Sequence, residues 1–247
     1  MKNADSWRPT KYVYRKGRLV ASRNRAEVGV SSRLFTNLVA RCFDANLKVH
    51  ARGRLLDLGC GFVPLFDAYK SHVTENICVD WDNTLHKNDY LDYACDLTQP
   101  LPFRDAEFDT IILSDVLEHM PEPQQLWAEM ARILRPGGKV LVSVPFYYWI
   151  HEQPYDYYRY TEFALTRFVE RSGLTVSQLE SLGGAPEVLA DVMAKSVHRV
   201  PLVGRAVAMA VQSITLKVGG TGPGRKVSRK SGRLFPIGYF MVAQKAG

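Results

Sequence analysis

An apolar strand that runs directly into two glycines is the feature that most constrains how this chain can fold. Residues 55–64 read Leu-Leu-Asp-Leu-Gly-Cys-Gly-Phe-Val-Pro, so Gly59 and Gly61 are separated by one residue. A further acid, Asp80, ends the next apolar run, nineteen residues after Gly61. Glycine lets the backbone approach a ligand closely, and an acid one strand over can accept both ribose hydroxyls. The layout therefore predicts a nucleoside-binding site.

The segments that follow alternate between strand and helix patterns. Asp96 closes a short apolar run, and residues 108–113 read as a buried strand that leads into Ser114. A helical pattern over residues 122–134 meets an Arg-Pro-Gly-Gly-Lys turn, after which residues 140–144 form the next predicted strand. This alternation predicts an α/β fold with a parallel, doubly wound sheet.

Together these motifs resemble the class I S-adenosylmethionine (SAM)-dependent methyltransferases, in the methyltransferase type 11-like branch with D-L-G-C-G, D-L-x-x-x-L-P-F, L-E-H and L-R-P-G-G. The resemblance covers about residues 50–180 and implies SAM as the cofactor. It also implies a Rossmann-like sheet of seven strands, mostly parallel, with an antiparallel last strand. The alternative is a dinucleotide-binding enzyme, although the third glycine of that motif is missing.

One position departs from the family pattern. Most relatives have glycine where Val63 stands, and Pro64 follows it. Proline is favourable in the first turn of a helix, where its missing N–H costs nothing. We therefore expect a local variant with a helix that starts at Pro64. If Val63 crowded the methionine tail, SAM binding would be in doubt.

The residues at the carboxyl ends of the strands are expected to bind SAM, because ligands of open α/β sheets lie there. The resemblance implies that Gly59 and Gly61 border the methionine part. It also implies that Asp80 holds the ribose and Asp96 faces the adenine amine, while Trp81 is placed to cover the adenine ring. The other predicted cofactor contacts are Asp57, Cys60, Leu97 and Ser114. For Asp57, a structural role in orienting the glycine loop is the alternative.

Two clusters are candidates for the acceptor side, and the first is Asp115-Val116-Leu117-Glu118-His119. In this branch L-E-H commonly shapes the donor pocket. The segment also resembles the E-x-x-E-H magnesium site of small-RNA 3′-end methyltransferases and the metal site of ubiquinone-pathway O-methyltransferases, with Asp115 replacing the first Glu. Carboxylates and a histidine could hold Mg²⁺ against a sugar diol and lower the hydroxyl pKa. The sequence leaves both roles open, with His119 as a catalytic candidate.

The second cluster is the loop over residues 151–161, which reads His-Glu-Gln-Pro-Tyr-Asp-Tyr-Tyr-Arg-Tyr-Thr. His151 titrates near neutral pH and is the candidate general base, with a purely structural histidine as the alternative. Tyrosines beside an acid and an arginine suit a carbohydrate, whose ring faces are apolar and whose edges are hydroxyls. The predicted substrate contacts are Tyr155, Asp156, Tyr158, Arg159 and Tyr160. The loop resembles bacterial methyltransferases encoded among surface-polysaccharide and glycolipid genes.

Positive charge is concentrated at both ends of the chain. Residues 1–30 hold eight Lys/Arg against two acids, and residues 219–247 hold six Lys/Arg and no acid. Because the whole chain carries +7, the segment between them carries 7 − 12 = −5. Such ends suit an anionic partner, namely a phospholipid surface, a lipid-pyrophosphate carrier or nucleic acid. Solvated basic tails are the alternative.

The sequence also predicts how the chain is organised. Residues 1–30 read as a basic, irregular arm, and residues 31–247 as the methyltransferase domain. Within that domain, residues 183–236 form an insertion with two helical stretches followed by a Gly/Lys/Arg/Ser loop. In the second stretch, an apolar stripe predicts core packing, with an interfacial membrane role as the alternative. Its members are Leu202, Ala206, Met209, Ile214 and Leu216.

The preferred interpretation is an O-methyltransferase acting on a sugar hydroxyl of a glycan or glycolipid, with a lipid-linked acceptor among the candidates. A quinone or secondary-metabolite O-methyltransferase comes second, because fold does not fix function. An RNA 2′-O-methyltransferase comes third, so nucleic acid is a disfavoured but open partner, and a non-enzymatic SAM-fold subunit also stays open. No secretory signal is recognisable in the polar first residues. We expect a cytoplasmic protein with basic ends suited to the inner face of the membrane.

Overall fold

The computed structural model describes residues 1–81 and 88–247, and a β-hairpin forms near its N-terminus. β1 (Tyr12–Arg15) pairs antiparallel with β2 (Arg18–Ala21). Lys16 and Gly17, both at positive φ (50° and 71°), form the tight turn that suits such hairpins. Here the prediction of an irregular arm was wrong, because two short apolar runs, at 12–14 and 19–21, flank the turn and pair with each other.

The hairpin packs on the first long helix, α1 (Arg33–His50). Buried Tyr12 and Leu19 belong to the same core cluster as Phe43 of α1. The N-terminal segment therefore shares its core with the rest of the fold.

A seven-stranded sheet forms the centre of the molecule. Its strands are β3 (Arg54–Leu58), β4 (Glu75–Asp80), β5 (Tyr93–Ala94), β6 (Phe108–Ser114), β7 (Leu134–Pro145), β8 (Leu174–Leu182) and β9 (Gly238–Lys245). Their order is β5-β4-β3-β6-β7-β9-β8, and only β9 runs antiparallel to its neighbours. This confirms the predicted mostly parallel, doubly wound sheet with an antiparallel last strand.

Helices cover the sheet and follow the predicted alternation. They are α2 (Phe66–Tyr69), α3 (Pro123–Ile133), α4 (Glu162–Arg171), α5 (Ala185–Val197), α6 (Gly204–Gly219) and α7 (Gly222–Ser231). Successive strand residues point to opposite faces, so Leu55 packs in the layer beside α1 while Leu56 packs in the layer with Trp127 of α3. Thr161 caps α4, since its side chain accepts a hydrogen bond from the Ala164 N–H.

Two turn predictions need correction. The Arg-Pro-Gly-Gly-Lys segment is not a separate turn but lies inside β7, at a register shift: Phe108 pairs with Leu134, while Thr110 pairs with Lys139. The helix expected from Pro64 begins two residues later, at Phe66, because Val63 occupies the left-handed region (φ 51°).

The insertion between β8 and β9 contains three helices where two were predicted. The supposed basic loop is α7, which is capped by the Thr221 side chain accepting from the Gly224 N–H. The predicted apolar stripe of α6 is also wrong: Leu202 lies outside the helix, and Ile214 is exposed. Ala208 and Gln212 are buried instead, and Gln212 hydrogen-bonds the backbone of Val30 and Leu34.

Among the described residues, no helix combines the length and the hydropathy needed to cross a lipid bilayer. The carboxyl ends of β3, β4, β6 and β7 meet at one edge of the sheet, because these strands are parallel. This edge holds the candidate site.

Candidate active site

The glycine loop after β3 is fixed by hydrogen bonds to β4. The N–H groups of Gly59 and Cys60 donate to the Val79 carbonyl at 2.8 and 3.0 Å. Gly59 has φ 70°, and a Cβ there would lie 2.6 Å from a Val116 methyl carbon. Only glycine satisfies both the backbone angle and the close approach.

Asp80 links the end of β4 to this loop. One carboxylate oxygen accepts from the Gly61 N–H at 2.6 Å, and the other accepts from the Trp81 N–H at 2.7 Å. Burial raises the pKa of Asp80, and the two N–H donors offset part of that rise. Each oxygen keeps a lone pair, so the carboxylate can still accept a ribose hydroxyl.

Asp57 and Cys60 turn away from the ligand side. Asp57 is buried and accepts a hydrogen bond from the Tyr69 hydroxyl at 3.1 Å, and burial raises its pKa to about 7. It does not orient the glycine loop through backbone N–H groups. The Cys60 thiol is buried, and its interaction with Cys78, together with burial, raises its pKa. Contact of either residue with SAM stays a prediction.

The other residues predicted to contact SAM lie along the same edge of the sheet. Asp96 is exposed, and one of its oxygens accepts from the N–H and hydroxyl of Thr98 at 2.9 and 2.8 Å. The Ser114 hydroxyl lies 3.2 Å from that of Ser143. Leu97 is buried in the core, so its side chain supports the edge from below. Contact of these residues with SAM stays a prediction.

Trp81 links the predicted SAM site to the loop predicted to bind the methyl acceptor. Its partly exposed ring meets the Tyr155 ring edge to face, with centroids 5.3 Å apart. Val63, where most relatives have glycine, is fully buried at φ 51°. A β-branched residue rarely adopts this conformation, which accounts for the glycine preference at this position.

The N-terminal segment enters the site, which the sequence did not predict. Lys11 forms an ion pair of 2.9 Å with Asp115, and the other Asp115 oxygen accepts from the Ser143 hydroxyl at 2.8 Å. Burial lowers the pKa of Lys11, but the charge of Asp115 outweighs it and the net shift is upward. The positive charge of Lys11 therefore offsets the negative charge of Asp115.

Glu118 lies at the centre of the acceptor side. It is fully buried, and neither carboxylate oxygen has a hydrogen-bond donor in the described part of the chain. The Nε2 atoms of His119 and His151 both lie 3.7 Å from one Glu118 oxygen, beyond hydrogen-bond length. Burial and the charge of Asp115 raise the pKa of Glu118, which interactions with the two imidazoles only partly offset.

His151 is held by the loop that contains it. Its Nδ1 lies 3.2 Å from a carboxylate oxygen of Asp156, and its backbone N–H donates to the same oxygen at 2.9 Å. Burial lowers the pKa of His151, but the carboxylates of Glu118 and Asp156 outweigh it, so the pKa is raised. Arg159 makes a two-pronged contact with Asp156 at 2.6 and 2.7 Å. Burial raises the pKa of Asp156, but these donors hold it at about 2.

The aromatic loop is attached to the L-E-H segment by hydrogen bonds. The N–H groups of Tyr157 and Tyr158 donate to the Glu118 carbonyl, and the buried Tyr160 hydroxyl donates to the Leu117 carbonyl at 2.9 Å. The Tyr158 hydroxyl donates to the Pro121 carbonyl at 3.0 Å. Asp156, Arg159 and Tyr160 thus serve the loop itself. Substrate contact by Tyr155 and Tyr158, whose rings are partly exposed, stays a prediction.

A cavity of about 320 Å³ lies above these groups. Asp115, Glu118 and both histidines line one side, while Lys11 and residues 27–29 line the other. The basic composition of the N-terminal segment concealed this role, because only the hairpin fold brings Lys11 to the sheet edge. The available signal was the pair of short apolar runs at 12–14 and 19–21 on either side of Lys16 and Gly17.

Comparison with known proteins identifies the central part of the chain. Residues 56–142 match the methyltransferase domain family. An uncharacterized methyltransferase of Mycobacterium leprae is 38% identical over 78 residues, which is 30% of this chain and 28% of that protein. The alignment therefore spans less than a third of the curated relative.

Solved structures share the fold at low sequence identity. A chain in the complex of the Haloferax volcanii Trm112 methyltransferase activator with a methyltransferase gives a TM-score of 0.56 at 18% identity, covering 91% of this chain and 95% of that one. The Haemonchus contortus phospholethanolamine N-methyltransferase 2, in complex with phosphomonomethylethanolamine and S-adenosylhomocysteine, gives 0.52 at 15% identity, covering 91% and 58%.

Proposed function

We propose that this chain, whose residues 56–142 match the methyltransferase domain family, transfers the methyl group of SAM to a sugar hydroxyl in a glycan or glycolipid. The arrangement around Glu118 is the observation that supports a hydroxyl acceptor. Its unpaired carboxylate and the ring nitrogens of His119 and His151 have ligand atoms within 4.8 Å of one another. The carboxylate and the two ring nitrogens together need a hydrogen-bond donor or a positive charge beside them. The hydroxyl group of a methyl acceptor supplies such a donor proton.

The tautomers of the two histidines follow from their partners. The His119 Nδ1 lies 2.9 Å from the Tyr155 carbonyl oxygen, which can only accept, so its neutral form carries the proton on Nδ1. His151 faces the Asp156 carboxylate through Nδ1 and is protonated there by the same argument. In their neutral forms both residues turn an Nε2 lone pair toward Glu118. A donor group entering the cavity can hydrogen-bond to any of the three.

We assign His151 as the general base. SAM supplies an electrophilic methyl group: the acceptor oxygen bonds to that carbon while the carbon–sulfur bond breaks, leaving S-adenosylhomocysteine. The hydroxyl proton passes to the Nε2 of His151. Asp156 fixes the imidazole orientation, and the negative charge of Glu118 stabilises the imidazolium that forms. His119 lies beside this pair, with ring centroids 4.9 Å apart, and is a second hydroxyl contact.

The donor would bind at the glycine loop, as the family resemblance implies. Asp80 has a free lone pair on each oxygen for the ribose hydroxyls, and the open space beside Gly61 leaves room for the methionine part. Trp81 adjoins Asp80, and its ring contacts that of Tyr155, whose carbonyl oxygen lies 2.9 Å from the His119 Nδ1. Their contact would set the donor methyl and the acceptor hydroxyl side by side, which is the main source of rate in such transfers.

The aromatic surface beside the cavity supports a sugar as the acceptor. Partly exposed rings of Tyr147, Trp149, Tyr155, Tyr157 and Tyr158 lie along the loop after β7. Flat aromatic faces pack well against the apolar faces of a pyranose, and ring hydroxyls satisfy polar neighbours. A phenolic or quinol acceptor would use the same rings, so the surface alone does not separate the two classes.

Magnesium does not fit the described donors. Asp115 is already engaged by Lys11 and Ser143, which leaves one carboxylate and two imidazoles. Mg²⁺ prefers oxygen ligands in an octahedral site. Two nitrogens and one oxygen suit Zn²⁺, Mn²⁺ or Fe²⁺ better. A metal-dependent O-methyltransferase is therefore the second candidate, supported by the unpaired Glu118 carboxylate.

An assay with SAM labelled in its methyl group would test the proposal. The purified chain is incubated with glycans, glycolipids, phenols, amines and RNA, each with and without EDTA and with added Zn²⁺, Mn²⁺ or Mg²⁺. We expect label in a sugar methyl ether and full activity in EDTA. Label only in phenols or RNA would overturn the acceptor, and loss in EDTA with recovery in Zn²⁺ or Mn²⁺ would favour the metal. Calorimetric SAM binding without turnover on any acceptor would indicate a binding subunit.

A further inference from the structure

The turn between α5 and α6 exposes four consecutive apolar residues. Val200, Pro201, Leu202 and Val203 are all exposed, and Leu202 is fully accessible at 103%. Leaving a leucine in water forgoes about 2 kcal/mol relative to burying it. Leu202 also adopts a left-handed backbone (φ 64°), which is unfavourable for a residue with a Cβ. The exposed apolar side chain and the left-handed backbone are two unfavourable features at one residue. Together they indicate a surface that a partner covers when the protein functions.

This turn has a defined shape. The Val203 N–H donates to the Pro201 carbonyl at 2.7 Å, and the Gly204 N–H donates to the Val200 carbonyl at 3.0 Å. A Cβ at Gly204 would lie 2.0 Å from the Val197 carbonyl oxygen, so the helices approach too closely there for any other residue. The backbone thus holds the apolar side chains outward in a fixed arrangement.

The turn adjoins the acceptor loop. The ring of His198, two residues before Val200, packs against Trp149 with centroids 6.1 Å apart. Lys195 on α5 lies over the Tyr148 and Trp149 rings, 3.2 and 5.4 Å from their centroids. Trp149 is partly exposed and Ile150 largely so. We call Trp149, Ile150 and residues 200–203 the apolar edge.

Positive charge flanks the turn of the apolar edge. Exposed Arg199 and Arg205 bracket the turn. No Asp or Glu occurs anywhere after Asp191, while residues 192–247 contain ten Lys/Arg. An apolar turn with a cation on either side matches an anionic phospholipid bilayer, in which acyl chains accept the leucine and phosphates accept the arginines.

We propose that the apolar edge docks on the surface of an anionic phospholipid membrane, with Leu202 inserted and Arg199 and Arg205 at the headgroups. The docking surface is contiguous with the rim of the acceptor cavity, because Tyr148 and His151 line that cavity. An acceptor carried on a lipid would therefore meet the site without leaving the bilayer. Membrane binding does not depend on the proposed methyl transfer and is measured without SAM.

Co-sedimentation of the full chain with vesicles tests this proposal. We expect binding to phosphatidylcholine mixed with phosphatidylglycerol, weakening with salt, and none to phosphatidylcholine alone. Leu202→Asp should weaken binding by about tenfold or more, since it loses the leucine insertion and adds a repelled charge. The matched control is Val49→Asp, because Val49 is 72% exposed on α1 at the opposite end of the sheet. This variant should bind like the unmodified protein.

Two further measurements complete the test. Replacing both Arg199 and Arg205 with Gln should remove most of the salt dependence while thermal unfolding stays unchanged. A vesicle-induced shift in tryptophan emission should disappear in Trp149→Phe. Equal binding of Leu202→Asp and Val49→Asp would overturn the proposal. The proposal would also be overturned if no vesicle binding were seen and Leu202→Asp changed the mass of the free protein measured by sedimentation. The apolar edge would then join two copies of the chain.

Discussion

Lys11, one residue before β1, forms an ion pair of 2.9 Å with Asp115, one residue after β6. The pair joins the beginning of the chain to the edge of the central sheet. Asp115 has a positive φ of 54°, so its backbone depends on the surrounding contacts to keep this conformation. Because Lys11 pairs with Asp115, the N-terminal segment forms part of the wall of the acceptor cavity.

Replacing Lys11 with Met should lower turnover about tenfold, equivalent to ~1.4 kcal/mol in the barrier, with little effect on SAM affinity. The variant leaves Asp115 with one fewer partner beside Glu118, so a second negative charge would enter the cavity. Steady-state kinetics and calorimetric SAM binding measure the two effects. Lys16→Met is the control, because it removes the same charge from the exposed hairpin turn. Similar kinetics in both variants would contradict a role for the ion pair.

Much of the fold followed from local patterns. The glycine loop and the strand ending at Ser114 were predicted because apolar periodicity and glycine positions are properties of short segments. The antiparallel β9 was implied by the family resemblance. The N-terminal hairpin and α7 were missed for one reason: charged residues masked the weaker local signals. In α6, the stripe that included Ile214 looked like a core face, yet the helix packs through Ala208 and Gln212.

The sequence singled out several residues that the structure brings together, but it did not reveal Lys11 or the contacts between these residues. His151 and Asp156 were singled out from one loop, whereas their contact depends on the fold of that loop. Lys11 and Asp115 are 104 positions apart, and no local pattern links them. Contacts at such separations depend on the tertiary arrangement, which spacing alone does not specify.

Asp80→Asn should raise the dissociation constant for SAM by about tenfold to a hundredfold, or ~1.4–2.7 kcal/mol. The amide keeps the size of the side chain but places an NH₂ group toward either the Gly61 N–H or the ribose, so one acceptor is lost. Calorimetry with S-adenosylhomocysteine avoids turnover during the measurement. Asp105→Asn serves as control because this exposed carboxylate pairs with Arg132 away from the glycine loop. Unchanged affinity in Asp80→Asn would exclude the ribose role.

Glu118→Gln should make the protein more stable while lowering its turnover. A buried carboxylate without donors is unfavourable, whereas an amide can donate to the Nε2 lone pairs of His119 and His151. We expect a gain of about 1–2 kcal/mol in unfolding free energy by denaturant titration, with at least a tenfold loss of activity. The matched variant is Glu107→Gln, since Glu107 accepts from Arg54 at 2.6 Å and should lose stability instead. A destabilised but active Glu118→Gln would show that Glu118 has a structural role.

The pH dependence of turnover tests whether His151 is the base. Its neutral form is active, so the rate should rise with pH through a midpoint above 6.5, the ordinary value, because Glu118 and Asp156 raise the pKa. A carboxylate stabilises the imidazolium, so Asp156→Asn should lower this pKa and move the midpoint to lower pH. It should also reduce the plateau about tenfold, since Nδ1 loses its charged partner.

His151→Gln should remove the pH-dependent limb and cost about a hundredfold or more in turnover while SAM binding persists. Asp44→Asn, which alters a surface pair with Lys48, should leave the profile unchanged. A midpoint that does not move in Asp156→Asn would assign the titration to another group and remove His151 from the proton transfer.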